Sequence, residues 1–350
     1  MRSLLNKTLI LRLSSIGDII LASPLIRVLR KRFPDARIDF LVKTKFAELV
    51  RYNPYLTTVI EFSSSEGFTG LVSLKRRLRE TGYDSVIDIH GNFRSIYLRL
   101  FLGSGVCTVV RKRIWSRLML VRFKWNRYDA SPSVADRYIE SLDSFGIHND
   151  GEGAEVFIPP SVSTRIGDLW KTYHHSPDQR VIALAHSAKH WTKMWPAEKY
   201  SELGCRIVRD GGIVVLFGSQ NDQERSRLIV QNMQAQGISL ARIVDCTGQF
   251  DLLETAAFMD HCSAVVANDS GLMHLASARK RPVIGIFGPT VKEFGFFPIG
   301  GTSIVIENAG LECRPCSHLG GPRCPKGHFR CMNDIEVTAV YQSIQKLLAP

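Results

Sequence analysis

The chain has 350 residues, 45% of them hydrophobic, and a mean hydropathy near zero, which fits a soluble protein with room for two domains of ordinary size. No apolar run approaches the roughly 20 residues that span a bilayer, and residues 9–13, interrupted by Arg12, are too short for a signal-peptide core, so the expected compartment is the cytoplasm. A formal net charge of +12 points to anionic partners: nucleotide, phosphorylated glycan, nucleic acid or an anionic lipid surface.

Strands and helices alternate along the first half. Residues 8–13 form the first predicted strand and 19–33 the first helix, joined by Ser14-Ser15-Ile16-Gly17-Asp18. Strands at 37–42, 58–62, 84–89 and 106–110 follow, with helices at 46–52, 71–81 and 95–102 between them. An arginine-rich stretch at 111–127 and a helix at 134–145 complete this half. The turn-forming run Asn149-Asp150-Gly151-Glu152-Gly153 and the pair Pro159-Pro160 predict a linker within 149–180. The pattern then restarts, with strands at 181–186, 213–218, near 243, 264–267, 282–287 and 303–307. Helices at 199–210, 222–236 and 272–279 separate them, and a helical stretch at 335–348 ends the chain. Strands without polar alternation, separated by helices, indicate parallel sheets covered on both faces. The expected organisation is one doubly wound domain over 1–160, a second over 175–335 and a C-terminal helix over 336–350.

Such sheets bind ligands beyond the carboxyl ends of their strands, where the free N–H groups of a helix start favour anions. Two strand-to-helix junctions stand out: the one ending in Asp18, and Asn268-Asp269-Ser270-Gly271. Together they suggest one site for an acceptor and one for a donor, although each alone reads as an ordinary N-cap. Gly17 permits a tight turn and close backbone approach. Asp18, at the helix start, can take a proton from an attacking sugar hydroxyl or simply cap the helix. In the second half, Ser187 and Lys193 follow a strand end and suit a diphosphate, with Trp195-Pro196 opening the next helix. Asp222 follows the turn Phe217-Gly218-Ser219, where a carboxylate can hold ribose hydroxyls. Ser270 and Gly271 offer backbone amides to a diphosphate, Asp269 can order their loop, and His274 lies in the first turn of the helix beyond.

Five segments carry a wider resemblance: Ser14-Ser15-Ile16-Gly17-Asp18, Asp88-Ile89-His90-Gly91-Asn92-Phe93-Arg94-Ser95, Thr192-Lys193-Met194-Trp195-Pro196, Asn268-Asp269-Ser270-Gly271-Leu272-Met273-His274 and Phe287-Gly288-Pro289-Thr290. In order and spacing they resemble the heptosyltransferases of glycosyltransferase family 9, nearer the heptosyltransferase II-like subgroup. The resemblance implies an α/β GT-B fold, two Rossmann-like doubly wound domains facing a central cleft, the first binding acceptor and the second nucleotide sugar. It implies an inverting, metal-independent enzyme that moves heptose from ADP-heptose to the lipopolysaccharide inner core, with no cofactor, since ADP-heptose is a substrate. It implies Asp18 as general base, Ser15, Gly17, Asn92 and Arg94 on the acceptor side, and Ser187, Lys193, Asp222, Asp269, Ser270, Gly271 and His274 on the donor side. The stretch after His186 departs from the family's Pro-Gly-Ala pattern, which leaves the role of Ser187 open. A GT-B enzyme using another nucleotide sugar or acceptor is the alternative.

Two other classes fit less well. A dinucleotide oxidoreductase wants a G-x-G-x-x-G after a strand, and none is present. A nucleic-acid-binding protein would spread its basic residues more widely and space its cysteines as a finger. Residues 111–127 carry seven basic residues and no acid, interleaved with Ile114, Trp115, Phe123 and Trp125. This segment reads either as a peripheral contact with the cytoplasmic face of the inner membrane or as a helix with its apolar face in the core. Near the C-terminus, Cys313, Cys316, Cys324 and Cys331, with His318 and His328 among them, can hold zinc, remain thiols or form a disulfide. The other four cysteines sit in apolar stretches and read as core, and no metal ligand is assigned to the active site.

Overall fold

The structure, a computed structural model, describes residues 5–100, 102–128, 130, 132–173 and 179–349. Residues 174–178 of the expected linker and Phe101 of the expected helix 95–102 lie outside them. The chain divides into two compact units, Met1–Arg113 with Pro132–Phe157, and Ile114–Ser131 with Ile158–Pro350.

The first unit contains β1 (Lys7–Leu11), α1 (Ile16–Ile20), α2 (Ser23–Arg32), β2 (Arg37–Lys43), α3 (Glu48–Arg51), β3 (Thr58–Phe62), α4 (Gly67–Thr81), β4 (Ser85–Asp88), α5 (Phe93–Arg99) and β5 (Val106–Val109). The chain then passes through α6 (Ile114–Phe123), part of the second unit, and returns for α7 (Val134–Glu140). Every strand pairing is parallel, in the order β3-β2-β1-β4-β5. The apolar runs of β1 and β4 are buried on both faces, as parallel strands between helical layers must be. Leu71, Leu74 and Leu78 recur at helical spacing on α4 and pack against Leu9, Leu11, Leu41 and Val86. Each such leucine contributes roughly 2 kcal/mol of burial.

The expected single helix at 19–33 is two helices. Pro24 has no N–H for the Ile20 carbonyl, and Ser23 Oγ donates to that oxygen instead at 2.7 Å, so α1 stops and α2 begins. The reading of Gly17 as a tight-turn glycine is corrected as well: it lies inside α1 and outside the left-handed region.

The second unit adds α8 (Pro160–Lys171), β6 (Val181–Ala185), α9 (Ala197–Arg209), β7 (Ile213–Phe217), α10 (Gln223–Ala235), β8 (Ile243–Asp245), α11 (Leu252–Met259), β9 (Ala264–Asn268), α12 (Gly271–Ala278), β10 (Val283–Phe287), β11 (Ser303–Glu307), α13 (Arg330–Asn333) and α14 (Val337–Leu347). Its parallel sheet runs β11-β10-β9-β6-β7-β8, the strand order of a six-stranded Rossmann sheet. The first unit repeats that order without the last strand. α8 occupies what the sequence suggested was linker: Pro160 starts it, Ile166 is buried, and Trp170 meets Phe258 of α11 edge-on at 5.3 Å.

Strand order reverses between β1 and β4 in one unit and between β6 and β9 in the other. The loops after those four strands therefore flank the two crevices where such sheets take ligands. Among the described residues, no helix is long and apolar enough to cross a membrane.

Candidate active site

In the first unit, β1 ends in Arg12, whose side chain turns across the switch point. Nε donates to the Ser14 carbonyl at 2.7 Å, Nη1 to the Ile89 carbonyl at 2.5 Å, and Nη2 pairs with Asp18 Oδ2 at 2.7 Å. Asp18 sits in the first turn of α1. Its Oδ2 also accepts from the Ser15 N–H at 3.2 Å and the Ser15 hydroxyl at 2.7 Å, so the carboxylate caps its own helix. This alters the expectation of an anion cradle at this junction, because a carboxylate in the first turn of this five-residue helix opposes an anion at its start. The other oxygen, Oδ1, accepts from the Tyr138 hydroxyl at 3.3 Å. Burial alone would raise the Asp18 carboxyl. The Arg12 charge and the Ser15 hydrogen bonds outweigh it and hold the group below the ordinary carboxylate range. With 17% of its side chain exposed, Asp18 is an ionised, oriented carboxylate held more tightly at Oδ2 than at Oδ1.

The loop after β4 forms the other wall of this crevice. Asp88 is fully buried, and its Oδ1 accepts from the His90 and Gly91 amides at 2.9 and 2.7 Å while Oδ2 accepts from the Ser95 hydroxyl at 2.9 Å. Gly91 needs its φ of +56°, and a Cβ there would stand 2.9 Å from the Lys112 side chain. Asn92 caps α5, its Oδ1 taking the Ser95 amide at 3.0 Å, and its Nδ2 lies 2.6 Å from His90 Nε2. Burial first, then the charges of Arg12 and Lys112, push His90 down to about 4, so its ring is neutral. Arg94 is exposed, and its charge is felt by Lys43 at the end of β2. This wall is cationic at its rim.

In the second unit, the loops after β6 and β9 meet. Lys193 Nζ lies 2.6 Å from Asp269 Oδ2, with both side chains nearly covered, and the same oxygen accepts from Thr290 Oγ1 at 2.6 Å. Asn268 Oδ1 takes the Trp195 amide at 3.0 Å, and its Nδ2 donates to the Ser187 carbonyl at 3.4 Å, which binds the two loops together. Ser270 is the N-cap of α12, and its buried Oγ has no partner among the described residues. The first amides of α12 belong to Gly271 and the residues after it, so this helix start offers donors and a partial positive charge. His274 is buried in the first turn of α12, its ring edge-on to Phe296 at 6.3 Å.

Ser187 is buried beside this group. Asp222 lies in the turn after β7, as the N-cap residue of α10, one strand further from the switch point. Its Oδ2 accepts from the Ser219 amide at 2.8 Å and the Ser219 hydroxyl at 2.5 Å. His186, fully buried, has Nε2 3.2 Å from Thr247 Oγ1 and is pushed down to about 4 by burial and by Arg225. The arrangement pairs a lysine ammonium with a helix N-terminus and an unoccupied hydroxyl, which is chemistry for an anion.

A family model described as glycosyltransferase family 9 (heptosyltransferase) matches residues 71–322, well over half of the chain. The chain belongs to glycosyltransferase family 9. Lipopolysaccharide heptosyltransferase 2 of Escherichia coli strain K12 is 27% identical over 297 residues, covering 82% of this chain and 84% of that protein. Among solved structures, a family 9 glycosyl transferase from Veillonella parvula superposes with a TM-score of 0.80 at 23% identity, covering 98% of this chain and 97% of that one. The ADP-heptose lipopolysaccharide heptosyltransferase II of E. coli does so with 0.75 at 24% identity, covering 98% of each. These likenesses make the fold GT-B.

Within this family 9 chain, four side chains of the two sites carried no assignment from sequence. Arg12 was visible only as a charge inside an apolar run. Tyr138 reaches Asp18 from 120 residues away and left no local trace. Thr290 and Asn268 lay inside quoted motifs, but nothing in those motifs showed that one would hold Asp269 and the other Trp195.

Proposed function

We propose that this family 9 glycosyltransferase moves heptose from ADP-heptose onto the lipopolysaccharide inner core, with inversion, and that Asp18 is the general base. The reading rests most heavily on the ionised Asp18 carboxylate, anchored through Oδ2 and held at Oδ1 by the longer Tyr138 contact, which an acceptor hydroxyl would displace. In the proposed step an acceptor hydroxyl gives its proton to Oδ1 while its oxygen attacks the anomeric carbon opposite the ADP leaving group. One displacement with one base inverts that centre. Arg94, with Lys43 near it, suits the anionic acceptor, while Asn92 shapes the same wall and Ser15 and Gly17 the facing one.

On the donor side, Lys193, the amides of Gly271 and its neighbours and the Ser270 hydroxyl take the diphosphate. They stabilise the charge that grows on it as the bond to the sugar breaks. These donors take the place of a divalent cation, so transfer is metal-independent in this proposal. Asp269 holds Lys193 in place, His274 backs the loop, Ser187 borders the diphosphate and Asp222 reaches the ribose.

The test is a coupled assay with purified chain, ADP-heptose and defined truncated cores, with products read by mass spectrometry and anomeric NMR. Asp18→Asn is expected to lower kcat by about 10³-fold or more with ADP affinity nearly unchanged. Normal turnover by that variant ends the base assignment. A panel of other nucleotide sugars in the same assay decides the donor, and added magnesium or manganese should leave the rate unchanged.

We also propose a peripheral contact between α6 and an anionic membrane surface, the place where a lipid-linked acceptor resides. The alternative expectation, an α6 apolar face buried in the core, does not describe this helix: Leu120 alone is buried, while Trp115 is 76% exposed and Ile114, Phe123 and Trp125 are at least half exposed. Exposed aromatic rings among basic side chains match a headgroup layer.

A further inference from the structure

Half of the eight cysteines fall within residues 313–331. Three of them sit on the segment between β11 and α13, which has no α-helix or strand of its own, and Cys331 is in the first turn of α13. Of its large apolar side chains, Phe329 joins the core of the second unit and Leu311 packs against that core, while Leu319 is exposed, so apolar packing holds the segment mainly near its two ends. Ordering a residue costs about 1–2 kcal/mol, and stretches with little core of their own are commonly fixed by disulfides or metals. All eight cysteines are free thiols, so no disulfide fills that role.

The four thiols are gathered. Cys316, Cys324 and Cys331 line one cavity of about 40 Å³ beside Thr192 and Phe329. Cys313 belongs to the same C-x2-C turn as Cys316, whose thiol donates to the Cys313 carbonyl at 3.1 Å. His328 Nδ1 accepts the Arg330 amide at 3.1 Å, which leaves the ring proton on Nε2, 3.8 Å from Cys313 Sγ. An N–H aimed at sulfur is how proteins support a metal-bound thiolate from behind. Among the described residues no three ligand side chains yet surround one point. Each thiol turns about a single Cα–Cβ bond, however, and three of the four already border the same cavity.

We propose that Cys313, Cys316, Cys324 and Cys331 bind one thiophilic metal ion, zinc or iron, as a four-thiolate structural site. Binding releases the thiol protons and replaces four S–H bonds with metal–sulfur bonds, without any redox step. Four thiolates complete a tetrahedral shell and leave no open position, so this ion is separate from the chemistry of sugar transfer. Its role is to fix the segment that braces Lys193. The Thr192 amide and hydroxyl both donate to the Gly321 carbonyl at 3.1 Å, and the Gly321 amide returns a hydrogen bond to Thr192 Oγ1 at 2.8 Å. Phe329 stacks on Trp191 at 4.2 Å. The site also carries the end of α6, because Lys124 Nζ donates to the Cys313 and Pro315 carbonyls at 3.0 and 2.7 Å.

The experiment is elemental analysis of the full chain, purified under reducing conditions with no chelator and no metal-affinity step. About one zinc or iron ion per chain is expected, iron announcing itself by thiolate charge-transfer absorption and zinc by its absence. The Cys316→Ser/Cys324→Ser variant should fall below about a tenth of an ion per chain, while Cys107→Ser, on β5 of the first unit, keeps the full complement. Cys324→His preserves a ligand and should still bind zinc, which covers the case in which the double variant does not fold. Wild-type protein that holds less than about a tenth of an ion and takes up neither metal, or a peptide map showing a disulfide among the four, overturns the proposal.

Discussion

One guanidinium ties two strand ends to one carboxylate: Arg12 Nη1 reaches the Ile89 carbonyl beyond β4 at 2.5 Å, while Nη2 holds Asp18 Oδ2 beyond β1 at 2.7 Å. Arg12 therefore fixes both the orientation and the ionisation of the proposed base.

The pH dependence follows from that pair. Asp18 is held below its ordinary range, so it is ionised throughout the neutral region, and the acid limb of kcat/KM should lie below about pH 4. In Arg12→Ala the opposing burial remains and the attraction is gone, so the carboxyl pKa rises and the acid limb moves to higher pH. We expect kcat at pH 7 to fall about 10²-fold as the carboxylate loses its orientation. Stability moves in the same sense. A depressed carboxyl contributes stability that is fully present above its unfolded value, about 3.9, and is lost as pH falls through the folded value. Urea melts of wild type and variant should therefore differ at pH 7 and converge in strong acid. An acid limb in Arg12→Ala superimposable on that of wild type refutes the assignment.

The donor site makes a prediction that binding alone can read. Lys193 is held at the loop before α12 through its bond to Asp269, and a hydrogen bond to a charged group is worth about 1.5–3 kcal/mol. Lys193→Met should weaken ADP by about tenfold to a hundredfold in calorimetry, and Lys193→Arg should recover part of the loss. Asp269→Asn removes the charge that orders both Lys193 and Thr290. It should weaken ADP as well and lower the melting temperature by a few degrees. Unchanged ADP affinity in Lys193→Met contradicts the donor reading.

Much of this was legible in the amino-acid order because parallel strands covered on both faces appear as unbroken apolar runs, and their loops carry the chemistry. That is why the positions of Asp18, Lys193 and Ser270 follow from reading strands alone. What stayed hidden depends on contacts across the chain. The Arg12–Ile89 bridge exists only once β1 and β4 are neighbours. The assignment of α6 to the second unit has no local signal, since its apolar residues form no stripe. The helix Pro160–Lys171 was missed for a different reason: the paired prolines were read as linker stiffening, although Pro160 opens the helix and Val162, Ile166 and Leu169 recur at helical spacing.

A second ion-pair cluster of the first unit predicts its acid sensitivity. Arg27, nearly covered on α2, donates through Nε and Nη2 to Asp150 at 2.9 and 2.7 Å and pairs with Glu155 through Nη1 at 2.9 Å. Those hydrogen bonds, with that of Lys31, outweigh desolvation and push the Asp150 carboxyl far down. Asp150→Asn should cost about 1–2 kcal/mol at pH 7, a shift of roughly 4–8 °C for a unit of this size. As pH drops through the folded value of Asp150, wild type loses the same stabilisation and the gap closes. A melting difference that stays constant from pH 7 to strong acid denies the pair its role.

The exposed face of α6 predicts a lipid dependence. Trp115, Phe123 and Trp125 present aromatic surface on the same segment as the exposed Arg122 and Arg127, and each basic residue near an anionic bilayer is worth about 1 kcal/mol. The chain should sediment with phosphatidylglycerol vesicles at low salt, sediment far less with phosphatidylcholine vesicles, and be released by 0.5 M salt, a concentration of about a 4 Å Debye length. Trp115→Ala/Trp125→Ala should reduce binding to the anionic vesicles by about tenfold, because each ring buries 150–250 Å² when it enters the interface. The same variant should retain ADP affinity, since neither ring belongs to the donor site. Equal binding to neutral and anionic vesicles, or wild-type binding by the double variant, removes the membrane from the account of α6.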